Sequence, residues 1–136
     1  MKDIFITGTF RNEWNKNFNL QLASTLESKG FKVFLPQRDS EQTGNRKRTF
    51  LQDVEGIDKC KMIVAVGSRT QTANRGFEIG YAFKSNKSVV IITDVDHPVE
   101  LMPEGASTKI IIAENLDDIP AYIEDLLIFV KQSLKS

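Results

Sequence analysis

The chain has 136 residues, the length of one ordinary domain, and we expect a single domain over residues 1–136. Its 18 basic and 18 acidic residues cancel, which argues against nucleic acid or a membrane surface as a partner and favours a small molecule. One cysteine, Cys60, and one histidine, His97, exclude an internal disulfide, a cysteine-rich metal site and histidine-based triads. No apolar run approaches the roughly 20 residues that cross a bilayer and no secretory signal is evident, so we expect a cytoplasmic protein.

Short apolar runs rich in β-branched residues recur along the chain and predict five strands. They are DIFIT at 3–7, FKVFL at 31–35, MIVAV at 62–66, SVVIIT at 88–93 and KIIIA at 109–113. These runs are too continuously apolar to have one face in water. They therefore predict a parallel sheet that helices cover on both faces.

Segments with helical periodicity lie between and after the strands. Their apolar stripes are Leu22, Ala23 and Leu26; Phe50, Leu51, Val54 and Ile57; and Ile119, Ile123, Leu126, Leu127, Val130 and Leu134. Gly30 is placed to end the first helix. Asp117 and Asp118 favour the N-terminus of the last helix, where Pro120 is tolerated in the first turn.

The alternation of strands and helices predicts an α/β fold, a doubly wound five-stranded parallel sheet with the flavodoxin-like order 2-1-3-4-5. In such sheets ligands bind beyond the carboxyl ends of the strands, where the winding reverses, here between strands one and three. That position selects two loops, TGTFR at 7–11 and GSRTQTANRG at 67–76. The polar stretch at 36–47 is the longest irregular segment, and we expect it to fold over the site as a lid.

Glu78 follows the second loop, in the predicted first turn of the next helix, with Phe77 and Ile79 on either side of it. Two interpretations are open. A carboxylate in a first helical turn is stabilised by the helix dipole and stays ionised, so Glu78 is only a helix-end residue. Alternatively, the same carboxylate faces the crevice and acts as a nucleophile or base in the cleavage of a glycosidic bond.

Asp53 is the second candidate carboxylate. It lies three residues after Phe50 and four before Ile57, so it shares the face of a helix whose apolar stripe points inward. Either Asp53 lies at the margin of that stripe and reaches water, or it faces the site as the proton donor or base-contacting partner of Glu78.

The first loop offers four further candidates. Gly8 lets the backbone approach a ligand, Thr9 supplies a hydroxyl, Phe10 a stacking surface and Arg11 an anion contact. By itself this signal is weak, because the G-x-G-x-x-G fingerprint of dinucleotide binding is missing. The basic run NRKR at 45–48 is interpreted as solvated surface, with phosphate contact as its alternative.

Four segments together resemble the nucleoside 2-deoxyribosyltransferase family and its nucleotide N-hydrolase relatives. They are IFITGTF at 4–10, QDVEGIDKCKMIVAV at 52–66, RGFEIGYAF at 75–83 and PVELM at 98–102. The third is the most specific, because it contains the E-I-G-Y-A motif of the family's nucleophile. The resemblance extends from residue 4 to about residue 102.

The resemblance implies a mechanism that needs no metal or organic cofactor. Glu78 matches the glutamate that attacks the anomeric carbon, and Asp53 matches the aspartate that contacts the base and assists its protonation. A second base then takes the sugar, or water takes it in a hydrolase. The substrate-binding residues that we expect are Gly8, Thr9, Phe10, Arg11, Gly67, Thr72, Asn74, Gly76, Glu100 and Met102.

Departures from the family pattern support two different substrates, one with a 5'-phosphate and one with a free 5'-hydroxyl. Thr72 replaces an aspartate of the transferases, and GTFR at 8–11 resembles the G-S-x-R loop of nucleotide hydrolases, so Thr9, Arg11 and Thr72 are expected to contact a 5'-phosphate. Glu100, by contrast, would repel phosphate and accept a hydrogen bond from a free 5'-hydroxyl. Phe5 stands where many members have tyrosine and removes a hydroxyl that helps to position the glutamate.

From the sequence we expect a transferase that moves the deoxyribosyl group of a 2'-deoxynucleoside between nucleobases. The alternatives are a 2'-deoxynucleoside 5'-monophosphate hydrolase and a non-catalytic nucleotide-binding module. In the family the residue on the 5' side comes from a neighbouring subunit, so the resemblance also implies a homo-oligomer built from dimers.

Overall fold

The computed structural model describes residues 2–67 and 73–135 of the chain. One five-stranded sheet forms its centre: β1 Ile4–Thr7, β2 Val33–Phe34, β3 Met62–Val66, β4 Ser88–Asp94 and β5 Lys109–Ala113. The strand order is β2-β1-β3-β4-β5, and every neighbouring pair is parallel. The predicted doubly wound topology is confirmed.

Helices follow the strands on both faces of the sheet: α1 Glu13–Ser28, α2 Pro36–Asp39, α3 Arg46–Asp58, α4 Ala73–Lys84, α5 Leu101–Ala106 and α6 Ile119–Leu134. Helix α1 ends as predicted, with Gly30 in the left-handed region at a φ of 96° just beyond it. Helix α6 carries Pro120 at its start. Among the described residues, none of the helices has the length and apolar character that a bilayer crossing requires.

The polar stretch at 36–47 is more ordered than the sequence suggests. Pro36 opens the short helix α2, whose Asp39 carboxylate accepts a hydrogen bond from the Leu35 amide. Asn45 caps α3 by accepting from the amides of Lys47 and Arg48. The prediction of one long irregular loop is therefore wrong, because local caps at both ends leave only residues 40–45 outside helices.

Each face of the sheet has its own apolar core. Helices α1 and α6 pack on one face, over Ile4 and Ile6 of β1. Helices α3 and α4 pack on the other, where Phe5 joins Ile79. Because successive side chains of a strand alternate between faces, Thr7 shares the face of Phe5 and points toward α3 and α4.

Helix α3 buries less than its predicted stripe. Phe50 and Leu51 are 43% and 53% exposed, and the buried residues of this helix are Gly56 and Ile57. The prediction that Phe50 and Leu51 face the core is wrong, since the N-terminal half of α3 borders a cavity instead of the sheet. Only its C-terminal end packs closely.

We predict that Gly56→Ala destabilises the protein. A Cβ at this position would lie 2.9 Å from the Phe34 ring. That ring stacks on Phe5 at a centroid distance of 5.3 Å, so it has little room to move away from the added Cβ. Overpacking of this kind lowers the free energy of unfolding by about 1–3 kcal/mol, measurable by urea denaturation.

The matched control is Gly80→Ala, in the middle of α4, where an added Cβ meets no atom within 4 Å. Replacing an unobstructed helical glycine with alanine stabilises a helix by about 1 kcal/mol. Equal effects of the two substitutions would contradict the packing argument.

Candidate active site

A cavity of about 670 Å³ opens beyond the carboxyl end of β1, between the loop that follows this strand and the helices α3 and α4. It lies at the predicted place, because the winding of the sheet reverses between β1 and β3. Among residues 2–67 and 73–135, its wall contains two carboxylates, Asp53 and Glu78, and three arginines, Arg11, Arg46 and Arg75.

The structure brings seven of the predicted site residues together in the wall of this cavity: Gly8, Thr9, Phe10, Arg11, Asp53, Asn74 and Glu78. Thr72 lies outside the described residues. Gly67, Gly76, Glu100 and Met102 do not line the cavity. The predicted loop at 67–76 is helical from Ala73 onward, which places Gly76 on an exposed helix surface.

Three of the residues that do not line the cavity have other positions. Gly67 packs against β4, because a Cβ there would lie 2.8 Å from the Thr93 hydroxyl oxygen. Glu100 precedes the first residue of α5 as its N-cap, and Met102 in that helix is 78% exposed. Both α5 residues therefore lie on the protein surface outside their own chain's cavity.

Glu78 is positioned by α4 and by the end of β1. The described part of α4 begins at Ala73, so Glu78 lies in the second turn and the predicted first-turn position is wrong. The Thr7 hydroxyl donates a hydrogen bond of 2.5 Å to its Oε1. Burial raises the pKa of Glu78 to about 7, with an additional increase from the charge of Asp53, whereas the hydrogen bond from Thr7 acts in the opposite direction.

The expectation that the helix dipole keeps Glu78 ionised is therefore wrong. The dipole favours an anion only at the first turn, and at the position of Glu78 the loss of water dominates. The carboxyl group instead has a pKa of about 7, so it exchanges its proton near neutral pH.

Asp53 faces the same cavity from α3. The Ser40 hydroxyl donates a hydrogen bond to its Oδ1. Burial raises the pKa of Asp53, and the hydrogen bond from Ser40 opposes that increase. Glu78 therefore accepts a hydrogen bond from Thr7, and Asp53 accepts one from Ser40. Burial disfavours the charged form of both carboxyl groups.

Sequence reasoning missed both hydroxyl groups. Thr7 could have been found, because it lies two residues after Phe5 on the same strand face and ends the strand at the predicted site. Ser40 could not, because its side chain meets Asp53 only when the loop after α2 folds back on α3.

The three arginines of the cavity come from separate elements. Arg11 belongs to the loop after β1, Arg46 to the start of α3 and Arg75 to the first turn of α4. Burial lowers the pKa of Arg75, an effect that the nearby charge of Glu100 opposes. A guanidinium remains protonated at any physiological pH, so these three residues are cations of the cavity wall.

Aromatic rings form the apolar part of the wall. Phe10, Phe50 and Phe77 line the cavity, and the rings of Phe50 and Phe77 lie 5.8 Å apart at an interplanar angle of 54°. Flat apolar faces beside polar groups are what a nucleobase needs for stacking. Within residues 2–67 and 73–135, no three His, Cys, Asp or Glu side chains form a metal-binding cluster.

Buried asparagines of α1 hold the loops that border the cavity. Asn15 donates from its side-chain amide to the carbonyl oxygen of Gly67 at 3.2 Å, and Asn19 donates to that of Thr9 at 3.0 Å. Gly8 fits beneath them because a Cβ there would lie 3.0 Å from Asn19 Oδ1. The loop after β1 is thus fixed by hydrogen bonds to a rigid helix.

Comparison with known proteins identifies the family. Residues 1–95 match the family model described as nucleoside 2-deoxyribosyltransferase like. The chain belongs to this family. A comparison with curated protein sequences finds no match.

Three solved structures show the fold shared with this member of the nucleoside 2-deoxyribosyltransferase-like family. The 2-deoxyribosyltransferase of Bacillus psychrosaccharolyticus has 18% identity and a TM-score of 0.72, covering 86% of this chain and 89% of that one. A conserved protein of Enterococcus faecalis has 21% identity and a TM-score of 0.77, covering 97% and 98%. The CMP N-glycosidase of Clostridium botulinum has 16% identity and a TM-score of 0.69, covering 90% and 99%.

We predict that Glu78→Gln stabilises the protein above neutral pH. The pKa of Glu78 is higher in the folded protein, about 7, than its ordinary value of 4.5, so the folded state binds the proton more tightly than the unfolded state. The contribution of this group to stability is therefore lost as the pH rises from 4.5 to 7.

The neutral amide removes this pH dependence. We expect a gain of about 3 kcal/mol in the free energy of unfolding at pH 8 and little change at pH 4, measured by urea denaturation. A gain of equal size at both pH values would show that Glu78 is not a buried carboxyl group with a raised pKa.

We also predict that Ser40→Ala raises the pKa of Asp53, because it removes the hydrogen bond that opposes the effect of burial. The shift is expected to be about one pH unit, from the usual energy of a hydrogen bond to a charged group. Side-chain carboxyl NMR of the labelled protein measures it directly. Ser28→Ala is the control, since the Ser28 hydroxyl is exposed and donates only to a backbone carbonyl; an unchanged Asp53 titration in Ser40→Ala would contradict the prediction.

Proposed function

We propose that the protein cleaves the N-glycosidic bond of a 2'-deoxynucleoside 5'-monophosphate, with Glu78 as nucleophile and Asp53 as the acid that protonates the leaving base. The observation that carries the proposal is the pair of carboxylates, Glu78 and Asp53, that face one cavity. Most enzymes that cleave glycosidic bonds use two carboxyl groups that flank the bond. Membership of the nucleoside 2-deoxyribosyltransferase-like family supports the same reaction type.

The reaction has two steps. The ionised Glu78 attacks the anomeric carbon, the bond from this carbon to the base nitrogen breaks, and the bond electrons pass to the base. In the form of the pair that reacts, Glu78 is ionised and Asp53 holds the proton, which it gives to that base. Water then attacks the same carbon and gives a proton to Asp53, while the ester bond breaks and Glu78 regains its charge.

Three cavity arginines favour a phosphorylated substrate. In the described part of the wall, Arg11, Arg46 and Arg75 outnumber the two carboxylates. Guanidinium groups bind phosphate through paired charge-assisted hydrogen bonds. Glu100, the residue that argues against phosphate, does not line the cavity of its own chain. Phe10, Phe50 and Phe77 supply the surface on which the base stacks.

Transfer to a second nucleobase is the other candidate. The family description favours it, and the electrostatic effect of Glu100 on Arg75 reduces the cationic character of one part of the wall. In that reaction a base nitrogen replaces water in the second step, and a free 5'-hydroxyl replaces the phosphate. A non-catalytic binding module would use the same arginines and aromatic rings without turnover.

Oligomerisation remains part of the proposal. Glu100 and Met102 lie on the surface at α5, as expected for residues that complete the site of a neighbouring subunit in a homo-oligomer built from dimers. A cytoplasmic location fits a substrate taken from the nucleotide pool.

The direct test supplies dCMP and dGMP, the corresponding deoxynucleosides and CMP, each with and without free adenine, and separates the products by chromatography. We expect free base and deoxyribose 5-phosphate from the deoxynucleotides, and loss of turnover in Glu78→Gln. Glu114→Gln, which changes an exposed glutamate, is the matched control. A new deoxynucleoside of adenine would establish transfer, and saturable binding without any product would establish the binding module.

We predict that Arg11→Gln lowers kcat/KM for the deoxynucleotide by about 10- to 100-fold, the usual cost of one charge-assisted hydrogen bond. The corresponding deoxynucleoside, which lacks the phosphate, should lose much less. Steady-state kinetics with both substrates measure the difference. An equal loss of kcat/KM for the deoxynucleotide and the deoxynucleoside would show that Arg11 does not recognise the phosphate.

A further inference from the structure

Thr7 occupies a fixed position beside the candidate nucleophile. It is the last residue of β1, is 1% exposed and lines the cavity. Its backbone is held by the parallel pairing of Thr7 with Ala65 of β3. A β-branched side chain on a paired strand has few χ1 rotamers available. The hydroxyl that donates to Glu78 Oε1 at 2.5 Å is therefore oriented by the sheet before any substrate binds.

Phe5 cannot supply this contact. It lies on the same face of β1 but is fully buried, and its ring stacks on Phe34 with an interplanar angle of 8°. Thr7 is the only residue of β1 with a side-chain hydroxyl. No further hydrogen bond to the Glu78 carboxylate comes from the part of the chain that the structure describes.

We propose that Thr7 is the positioning residue for Glu78: its hydroxyl binds Oε1, so that Oε2 is the oxygen that attacks the substrate. The inference rests on the proposed function, since it assigns the two oxygens of that nucleophile. Among the described residues, Thr7 is the one donor to this carboxylate, and its hydrogen bond to Oε1 orients the group. Thr7 thereby supplies, from two residues further along the strand, the hydroxyl that Phe5 lacks.

The same hydrogen bond has an electrostatic role. It stabilises the charged form of Glu78 and so opposes the burial that raises the pKa of this residue. The nucleophile needs to be ionised to attack, and it is only partly so near pH 7. Loss of the hydroxyl should therefore reduce both the orientation of Glu78 and the fraction of molecules that are ready to react.

Two comparisons isolate the effect of the hydroxyl: wild type with Thr7→Val, and Thr7→Ser with Thr7→Ala. Thr7→Val keeps the shape of threonine and removes only the donor. Thr7→Ser and Thr7→Ala both lack the γ-methyl group and differ from each other only in the hydroxyl. If the valine variant fails to fold, the serine and alanine pair carries the comparison.

The primary measurement is the titration of the Glu78 carboxyl carbon by NMR in the free protein, which does not depend on turnover. We expect the midpoint to rise by about one pH unit from wild type to Thr7→Val, and by a similar amount from Thr7→Ser to Thr7→Ala. Thr93→Val is the matched control, because Thr93 is equally buried at the end of β4 and its hydroxyl donates to the backbone of His97. It should leave the Glu78 midpoint unchanged.

Kinetics separate positioning from packing. The acidic limb of the pH profile of kcat/KM should move with the NMR midpoint, and Thr7→Ser should restore most of the turnover lost in Thr7→Ala. Unchanged midpoints in Thr7→Val and equal midpoints in the serine and alanine pair would overturn the inference, even if Glu78 proves essential. Full turnover in Glu78→Gln would overturn the proposed function, whatever the midpoints show.

Discussion

The burial of the Glu78 carboxyl group is the constraint on which the site depends. Its helix packs on the same sheet face as Phe5, and this packing draws the carboxyl group out of water as well. In this setting an ionised carboxylate is costly unless a donor reaches it, and the strand supplies one donor through Thr7. Asp53 makes the charge still less favourable, because two anions that face one small space repel. The result is an acid that exchanges its proton close to neutral pH, which is the property that acid–base chemistry requires.

The rest of the fold serves to place these few groups. Parallel pairing of β1 with β3 fixes Thr7, while the asparagines of α1 hold the loops beside it through their side-chain amides. Helix α3 packs closely on the sheet at Gly56 and Ile57, and Gly56 has no Cβ to meet the ring of Phe34. The N-terminal half of α3 borders the cavity, and Asp53 lines it.

The cations of the cavity come together only in the folded chain. Arg11, Arg46 and Arg75 come from three elements that are far apart in the sequence, and only Arg11 was predicted as an anion contact. The run that contains Arg46 was interpreted as solvated surface, because a short basic stretch in a polar segment usually is. Folding places one of its members in the cavity wall, since the cap at Asn45 starts α3 at that point. This group of cations is therefore a property of the assembled cavity and not of any one motif.

The sequence by itself determined the strand order and the position of the cavity, because hydrophobic periodicity and the reversal of winding are local and topological properties. Periodicity left open whether Glu78 and Asp53 face this cavity, and only the resemblance to the family favoured that position. The sequence also predicted the glycine loop at residues 8–11, which borders the same cavity. Only the tertiary structure decided the ionisation of Glu78, the helical turn in which it lies and the hydroxyl groups that contact the two carboxylates. The pKa of Glu78 depends on desolvation, and desolvation depends on every atom that excludes water from the group. The contact of Ser40 with Asp53 joins two segments that are apart in the chain, and no sequence pattern indicates that they meet.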